Sequence, residues 1–526
     1  PLKVNIELLL RASIQFLARS HQSSMLTWTL QKKVEADPSC SISLINVLLN
    51  ELEKKQQRVC KTQKFKSYMS IMPVLHTLYY VSGVTIPNSL YQRVSECLTK
   101  LLILPLPYSA VVQQTLRSIS MEMITPGCLY QTRVIAEQNI KNEHFNLQEK
   151  VFVLADPAVF SASLESTLRA YLDVSDSLRN THMVERKVVL HVLCSGLETA
   201  CQNTNLARAL EALDNKTARK YFHDVVLAVS QSTNHGAGGR ADYLNTLQEI
   251  YQRITSGAEG TVVFDYVPSE RTEINFLLWN DEEDLCELKR ETNARVLCFL
   301  IDDSGKDEDD SNKRDSGIEK DINDQGNTTL PFNRQSALKR RNAYRTVKSA
   351  ENLDLVKEKI EGSSGSSAGL KEERSHTARV VVLGDDRALG RLARAYSSIE
   401  KESKRNMLTK KLNLQLYYIP VSDVKPSLQP SLSLASHLGR VDPWYNSDIS
   451  NLGAAISNLS EMVKSYRIRG PSELNLFLLD SLCYYLRCGT QSVNLPLYSV
   501  KVHQSNNSVV FYMHINVLMK LDFVCL

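Results

Sequence analysis

The sequence predicts a multidomain α+β protein: an N-terminal α-helical solenoid-like domain, a central mixed α/β domain, a disordered linker and a C-terminal α/β domain. A chain of 526 residues is too long for one hydrophobic core. Apolar residues at helical spacing dominate its first part, and strand-like apolar runs begin near residues 151 and 378, on either side of a charged, low-complexity segment. We place the four segments at 1–148, 149–301, 302–375 and 376–526.

The composition excludes several classes of protein. With 43% hydrophobic and 23% charged residues, the chain has the balance of a folded, soluble protein. Its net charge of +4 is too small over this length for a protein whose main ligand is nucleic acid. The 11 cysteines include no C-x-x-C pair, which favours buried thiols in a reducing compartment over disulfides or a zinc site. We therefore expect an intracellular protein.

The N-terminal domain is predicted from helical segments that are separated by proline-containing breaks such as Asp37-Pro38 and Thr125-Pro126-Gly127. The uncharged run Ser67 to Gln92 contains Pro73 and Pro87, so it is predicted as two core helices, and any membrane contact is expected to be peripheral. The predicted helices are Ile6–Ala18, Ser41–Lys55, Tyr68–Val81, Ser89–Leu104, Ala110–Met123 and Leu129–Asn142.

A change of period at Val151–Ala155 marks the central domain. This continuous apolar run ends in Asp156-Pro157, as a buried strand does before a helix. Further strands are predicted at Thr261–Val267, Ile274–Trp279 and Arg295–Ile301. The predicted helices are Ser163–Leu172, Arg186–Cys201, Leu206–Leu213, Thr217–Ser230 and Ala241–Ile254.

The segment from Asp302 to Ser375 is predicted to be a disordered linker. It contains only two aromatic residues and a Gly/Ser-rich stretch, so it lacks the apolar side chains that would offset the entropy of ordering. A group of acidic residues lies at its start, between Asp302 and Asp310, and a block of basic residues lies later, between Arg334 and Lys348. We favour a solvated tether over contact of the basic block with acidic lipid. Hydroxyls beside basic residues make Ser336, Thr346 and Ser349 candidate phosphosites.

The C-terminal domain is predicted from a strand, Ala378–Gly384, that ends in a turn before a helix. The elements predicted after this strand are a helix at Asp386–Lys401, a strand at Leu412–Ile419, helices at Asp448–Tyr466 and Glu473–Arg487, and a hairpin of Leu497–Val502 with Val509–Val517.

The turn Gly384–Gly390 is the one place where the sequence suggests a ligand site. A strand, a glycine turn and a helix N-terminus together can bind phosphate, so an enzyme that acts on a phosphorylated ligand is the alternative hypothesis. The spacing lacks the middle glycine of a dinucleotide site, and Asp385 and Asp386 put negative charge where phosphate would lie. We favour helix capping by Asp385 or Asp386.

No catalytic, cofactor-binding or metal-ligating residue can be nominated elsewhere. The sequence has no H-R-D, no D-F-G and no glycine-rich phosphate loop, and its histidines do not pair at metal-ligand spacing. A chain of this size without such a pattern is more typical of an adaptor or scaffold.

Asp442-Pro443-Trp444-Tyr445 is a candidate loop anchor or partner contact. Pro443 fixes the backbone, and a large aromatic residue follows it. Trp444 either packs into its own domain, which we favour because tryptophan is usually buried, or projects as an interface hot spot.

Several long stretches resemble the class IB phosphoinositide 3-kinase regulatory (adaptor) subunits. Asp315–Glu319 and the short linker resemble the smaller of the two paralogues in that family. The remaining matched stretches are Trp28–Pro38, Pro126–Gly127, Tyr130–Gln131, Ala136–Asn139, His376–Arg387, Leu389–Ala393, Leu414–Val421 and Leu438–Tyr445.

The resemblance implies a non-catalytic subunit without cofactors that binds the γ-type class I catalytic subunit as a heterodimer. It also implies coupling of that kinase to G-protein βγ and Ras signals, and a cytoplasmic protein that is recruited to the plasma membrane. In the family the chain continues well beyond the segment equivalent to Tyr484–Gln491, and the G-protein βγ-contacting domain lies largely in that continuation. We therefore expect this domain to be largely missing here.

Overall fold

The computed structural model of the chain describes fourteen stretches, all of which belong to one compact unit built from Pro1–Asn280 and Arg374–Leu526. The described residues are 23–37, 40–62, 68–83, 87–140, 149–177, 179–198, 203–256, 274–278, 376–393, 412–421, 433–459, 474–489, 491–505 and 508–523. The predictions that lie outside them are Ile6–Ala18, Thr261–Val267, Arg295–Ile301, the linker 302–375 and the candidate phosphosites Ser336, Thr346 and Ser349.

The described part of the first 140 residues is helical, as predicted. Five predicted helices are confirmed with bounds that shift by a few residues, whereas the first helix below was not predicted. Its threonines and its lysine pair interrupt the apolar spacing that identifies the others. The helices are α1 (Ser23–Ala36), α2 (Ser41–Thr62), α3 (Met72–Val81), α4 (Asn88–Leu101), α5 (Tyr108–Ile124) and α6 (Cys128–Glu137).

Helices α1 to α5 share one apolar core. Leu48, Leu49 and Leu52 on α2 are fully buried, as are Leu75 and Leu78 on α3. These residues recur at intervals of three and four, so each helix buries one face against its neighbours.

The uncharged run Ser67 to Gln92 contains α3 and the start of α4, as the sequence predicts. These helices have 10 and 14 residues, and Pro87 precedes the second one. No helix in the described ranges is long and apolar enough to span a bilayer.

The break between α5 and α6 depends on Glu122 and Gly127. Gly127 has a φ of 93°, a left-handed conformation that side chains with a Cβ rarely adopt. The buried Glu122 carboxylate accepts hydrogen bonds from the backbone N–H groups of Gly127 (2.6 Å) and Leu129 (2.8 Å), so it satisfies donors at the start of α6. Burial raises the pKa of Glu122 to about 7, although these hydrogen bonds act in the opposite direction.

Five helices follow the first strand, and the last four of them surround a second apolar core. Val188 and Val192 of α8, Phe222 of α10 and Leu247 of α11 are fully buried there, and Val134 of α6, which is 6% exposed, packs into the same core. Helix α6, which we assigned to the N-terminal domain, therefore packs into this second core. The helices are α7 (Ala162–Ser177), α8 (Thr181–Leu197), α9 (Asn203–Ala212), α10 (Asn215–His235) and α11 (Arg240–Ser256), and they confirm the predicted helices of this segment.

Four of the described strands form a parallel sheet with the strand order β2-β1-β3-β4. In the register, Val153 pairs with Phe276 on one side and with Val381 on the other, and Val381 pairs with Tyr417. The apolar runs of β1 and β3 are buried, as expected of central strands that are covered on both faces. The strands are β1 (Glu149–Ala155), β2 (Ile274–Leu278), β3 (His376–Gly384) and β4 (Leu412–Pro420).

The sheet corrects one feature of the predicted organisation. Strands β1 and β2 belong to segment 149–301, and β3 and β4 belong to segment 376–526, which we had treated as separate domains. Parallel pairing of β1 with β3 places all four strands in one sheet. The physical reason is that each pair of strands alone would leave an apolar edge unpaired. The exact domain boundaries stay a prediction.

The remaining elements complete the unit. Residues 386–393 (α12) confirm the start of the predicted helix after β3, and α13 was not predicted. The C-terminal hairpin is longer than expected and has an irregular register between Leu497 and Tyr498. The elements are α13 (Leu434–Val441), a π-helical turn (Tyr445–Ile449), α14 (Ser450–Ser457), α15 (Leu474–Cys488), β5 (Gln491–Ser505) and β6 (Ser508–Phe523).

Helix α14 packs against the carboxyl end of β4 at a glycine. A Cβ atom on Gly453 would overlap the carbonyl oxygen of Pro420, so the helix approaches the strand more closely than a side chain would allow.

We expect Gly453→Ala to lower the free energy of unfolding by about 1–3 kcal/mol, because α14 must move away from β4. The matched control is Gly390→Ala in α12, where a Cβ atom would meet nothing within 4 Å. That variant should be neutral or stabilise the protein by up to about 1 kcal/mol. Denaturant unfolding of the full chain measures both, and equal effects would contradict the close approach.

Candidate functional site

Asp480 on α15 lies at the centre of a buried polar cluster that joins distant parts of the chain. Its Oδ2 accepts a hydrogen bond from Trp28 Nε1 at 3.0 Å. Its Oδ1 accepts hydrogen bonds from Arg179 at 2.9 Å and from Gln138 Nε2 at 3.2 Å. The side chain of Asp480 is 1% exposed, so these bonds replace water around a carboxylate.

Glu137 at the end of α6 extends this cluster toward α1. It accepts a hydrogen bond from Gln31 Nε2 at 2.9 Å and lies 3.2 Å from Lys32 Nζ. Lys32 Nζ also lies 3.5 Å from Asp480 Oδ2, and thereby links the two carboxylates. A further ion pair joins Arg133 and Glu35.

We call this group the Asp480 network, and it contains three acidic and three basic side chains. Because the charges balance, each buried ion has a counterion within the cluster. Its members come from α1, α6, the turn before α8 and α15. The charged members are Lys32, Glu35, Arg133, Glu137, Arg179 and Asp480.

The network shifts the pKa values of its members in opposite directions. Burial alone would lower the pKa of Lys32, but the nearby carboxylates, first of all Glu137, raise it above its usual value. Burial opposes ionisation of Glu35, yet Arg133 and Lys32 hold its pKa below the usual value. For Glu137 burial dominates, and its pKa is raised. The surrounding cations therefore stabilise Glu35 most clearly as a carboxylate.

The predicted motif Asp442-Pro443-Trp444-Tyr445 lies next to this network. Trp444 is 2% exposed, and its ring centroid lies 6.1 Å from that of Tyr484 on α15. Asp442 Oδ1 accepts hydrogen bonds from the backbone N–H groups of Trp444 (2.9 Å) and Tyr445 (3.3 Å), which fixes the start of the following helical turn. The geometry favours the loop-anchor hypothesis, and a direct partner contact by these residues stays a prediction.

A small cavity lies between the Asp480 network and the motif Asp442–Tyr445. Its volume is about 40 Å³, and it is lined by Trp28, Trp444, Tyr80, Tyr484 and Asp480 among others. Ligand pockets are typically several hundred Å³, so this space suits water better than a cofactor.

The carboxyl edge of the sheet, where the alternative hypothesis places a phosphorylated ligand, is filled by the chain itself. Asp385 Oδ1 accepts hydrogen bonds from the backbone N–H groups of Arg387 (2.8 Å) and Ala388 (3.2 Å), which confirms helix capping by Asp385. Asp386 accepts a hydrogen bond from the backbone N–H of Leu434 at 3.1 Å, so the start of α13 covers this edge.

The carboxyl ends of β1 and β3 also contact the helix α12 directly. Arg391 lies 3.6 Å from the buried carboxylate of Asp156 at the end of β1. A Cβ atom on Gly384 would lie 2.6 Å from Ala388 Cβ, so this glycine permits close packing of α12 and leaves no phosphate cradle. No group of His, Cys, Asp and Glu within the described ranges is arranged to hold a metal ion.

Sequence reasoning did not single out the Asp480 network. A signal was present, because Trp28, Gln31 and Lys32 fall in one family-like stretch, and Glu137 and Gln138 fall in another. Nothing local in either stretch indicates that both meet Asp480.

We expect Asp480→Asn to lower the free energy of unfolding by about 3 kcal/mol or more, since it removes the carboxylate that pairs with the buried Arg179, whereas Lys32 keeps Glu137 as a partner. The control is Glu53→Gln, which breaks a 3.1 Å pair with Arg93 whose side chains are 37% and 40% exposed. That change should cost less than about 1 kcal/mol. Urea unfolding of both variants tests the contrast, and a small loss for Asp480→Asn would contradict the central role of this residue.

Asp442 should make stability depend on pH. Burial raises its pKa from 3.8 to about 7, with a smaller contribution from Asp448, while its backbone hydrogen bonds act in the opposite direction. At pH values between 3.8 and about 7, Asp442 is ionised in the unfolded chain but protonated in the folded chain. The free energy of unfolding therefore falls as the pH rises through this range.

We expect Asp442→Asn to remove this contribution, because the amide is uncharged and its oxygen can still accept the two backbone hydrogen bonds. The difference in unfolding free energy between variant and wild type should change by up to about 1.4 kcal/mol per pH unit. Asp173→Asn, at an exposed position on α7, is the control. Parallel pH profiles for wild type and Asp442→Asn would disprove the assignment.

The sequence matches a known family over most of its length. The family model described as "Phosphoinositide 3-kinase gamma adapter protein p101 subunit" matches residues 14–368 and 366–434.

Individual relatives agree with the family model. The chain is 36% identical to phosphoinositide 3-kinase regulatory subunit 6 of Homo sapiens, over 96% of this chain and 72% of that protein. It is also 36% identical to regulatory subunit 6 of Mus musculus, over 93% of this chain and 69% of that protein. Regulatory subunit 5 of Xenopus laevis is 31% identical over 24% of this chain and 18% of that protein.

The family-model match covers both segments that contribute strands to the sheet, and it covers helices α1 and α6. The chain therefore belongs to the class IB phosphoinositide 3-kinase adaptor family, and it is a regulatory rather than a catalytic subunit.

Proposed function

We propose that this chain binds the γ-type class I phosphoinositide 3-kinase catalytic subunit in a heterodimer and couples it to G-protein βγ and Ras signals. The observation that carries the proposal is the match to a family whose description names a phosphoinositide 3-kinase gamma adapter protein. The chain acts at the plasma membrane after recruitment from the cytoplasm.

The described geometry supports binding rather than chemistry as the role of the chain. The carboxyl edge of the sheet, where an open α/β sheet usually binds ligands, is occupied by Asp386, Arg391 and the start of α13. The ionic network holds segments from both ends of the chain in one arrangement. A fixed arrangement of this kind limits the entropy lost when a partner binds.

G-protein βγ coupling and kinase binding are separable parts of this proposal. We infer that most of the G-protein βγ-contacting domain lies beyond the segment equivalent to Tyr484–Gln491. Kinase binding is assigned to the helices and the sheet of the described unit.

Co-expression and affinity purification test the proposal directly. The tagged full chain should recover the γ-type catalytic subunit in a one-to-one complex and should recover the α-type subunit weakly or not at all. Failure to recover the γ-type subunit, from a chain that unfolds cooperatively, would exclude the proposed partner. A thermal-shift screen with nucleotides and sugar phosphates addresses the alternative enzyme, which requires a stabilising ligand.

Trp444→Ala should weaken recovery of the catalytic subunit. Unfolding measurements distinguish a role of Trp444 as a loop anchor from a direct contact with the partner. If Trp444 anchors its loop, as its 2% exposure favours, the free energy of unfolding falls by about 3–5 kcal/mol. If Trp444 contacts the partner directly, the melting temperature is nearly unchanged and binding weakens by about 2 kcal/mol or more.

Trp444→Phe is the matched control, because it keeps a large aromatic ring in the same position. Under the anchor hypothesis it should recover most of the stability and most of the binding. Unaltered melting and unaltered recovery for Trp444→Ala would exclude both roles.

A further inference from the structure

The connection between α4 and α5 exposes an unusual set of apolar side chains. Leu102, Ile103 and Leu106 are 38%, 68% and 79% exposed. The other large apolar side chains that are exposed in the described ranges occur singly on helices, at Ile42, Val174, Met183 and Leu227. We call Leu102, Ile103 and Leu106 the apolar knob.

The knob is held in place by its neighbours. Two buried side chains anchor the connection in the first apolar core. They are Leu104, between the knob residues in sequence, and Tyr108, just after them, and they are 4% and 2% exposed. The backbone N–H of Leu104 donates to the carbonyl of Leu101 at 3.1 Å, and that of Ser109 donates to the carbonyl of Pro105 at 3.3 Å. The exposed side chains therefore project from an ordered turn between two helices.

The charged residues within the segment that contains the knob are basic, and the nearest acids in sequence, Glu96 and Glu122, lie just outside its two ends. From Cys97 to Met121 the sequence contains no Asp or Glu, and its two charged residues are Lys100 and Arg117, both exposed. Exposed apolar side chains beside an exposed lysine complement a surface that is apolar inside and negatively charged outside. An anionic lipid bilayer has this composition.

We propose that the apolar knob inserts into the interfacial region of an anionic bilayer, with Lys100 beside it at the level of the headgroups. The inference deepens the proposed function, because it gives the recruited complex a direct contact with the membrane. It rests on the proposed recruitment to the membrane and does not depend on how the catalytic subunit is bound.

Vesicle binding by the full chain tests the insertion. We expect sedimentation with vesicles of phosphatidylcholine and phosphatidylserine, and weaker binding to phosphatidylcholine alone. The double variant Ile103→Ser/Leu106→Ser should lose binding by about tenfold or more, because both side chains leave water on insertion. The matched control Val174→Ser/Leu227→Ser removes two exposed apolar side chains elsewhere and should bind like wild type.

A charge variant tests the electrostatic contribution of Lys100 to vesicle binding. Lys100→Gln should weaken binding to the anionic vesicles by about fivefold and leave binding to phosphatidylcholine unchanged. Lys216→Gln, an exposed lysine at the start of α10, is the control and should change neither.

Fluorescence locates the contact. Ile103→Trp should show a blue shift on addition of the anionic vesicles and quenching by brominated lipid, whereas Leu227→Trp should show neither. Melting temperatures of these variants verify folding, since all the substituted side chains are exposed.

Two results would overturn the proposal. Wild-type chain that does not bind anionic vesicles, or a knob variant that binds them like wild type, would show that the knob is not a membrane contact. A knob variant that keeps vesicle binding but loses recovery of the catalytic subunit would assign these residues to a protein interface instead. Loss of vesicle binding with normal recovery of the catalytic subunit supports the insertion and leaves the proposed heterodimer intact.

Discussion

The burial of a balanced set of charges around Asp480 is the constraint on which the rest of the described structure depends. A single carboxylate in a dry site is costly, and it is tolerated here because Arg179, Lys32 and the Trp28 indole surround it. These groups come from segments that are far apart in sequence. The helices around the first core, the helices around the second core and α15 must therefore be docked together before the charges are satisfied.

This constraint also explains the surroundings of Trp444. Its ring packs near Tyr484 on α15, the helix that carries Asp480, so the ionic cluster and the aromatic cluster share one support. Buried ionic and aromatic contacts between separate segments hold those segments in one arrangement.

Local sequence patterns predicted most helices and strands, because the spacing of apolar residues is a property of a few neighbouring positions. They missed α1, whose apolar residues are interrupted by threonines and lysines, and the short helix α13. The pairing of β1 with β3 and the contact of Trp28 with Asp480, 452 positions apart, have no local signature. Asp385 was correctly expected to cap a helix, since capping depends on residues within one turn. Trp444 was ambiguous because sequence gives the size of a side chain but not its surroundings.

The adjacency of β1 and β3 has a consequence for the covalent continuity of the chain. The two strands are neighbours in one sheet, although β2 and a long stretch of sequence separate them along the polypeptide. The pairing of β1 with β3 and the contacts of Trp28 and Arg179 with Asp480 all join residues that lie on opposite sides of that stretch. Two polypeptides divided in that stretch should therefore still be joined by these non-covalent contacts, as in fragment complementation.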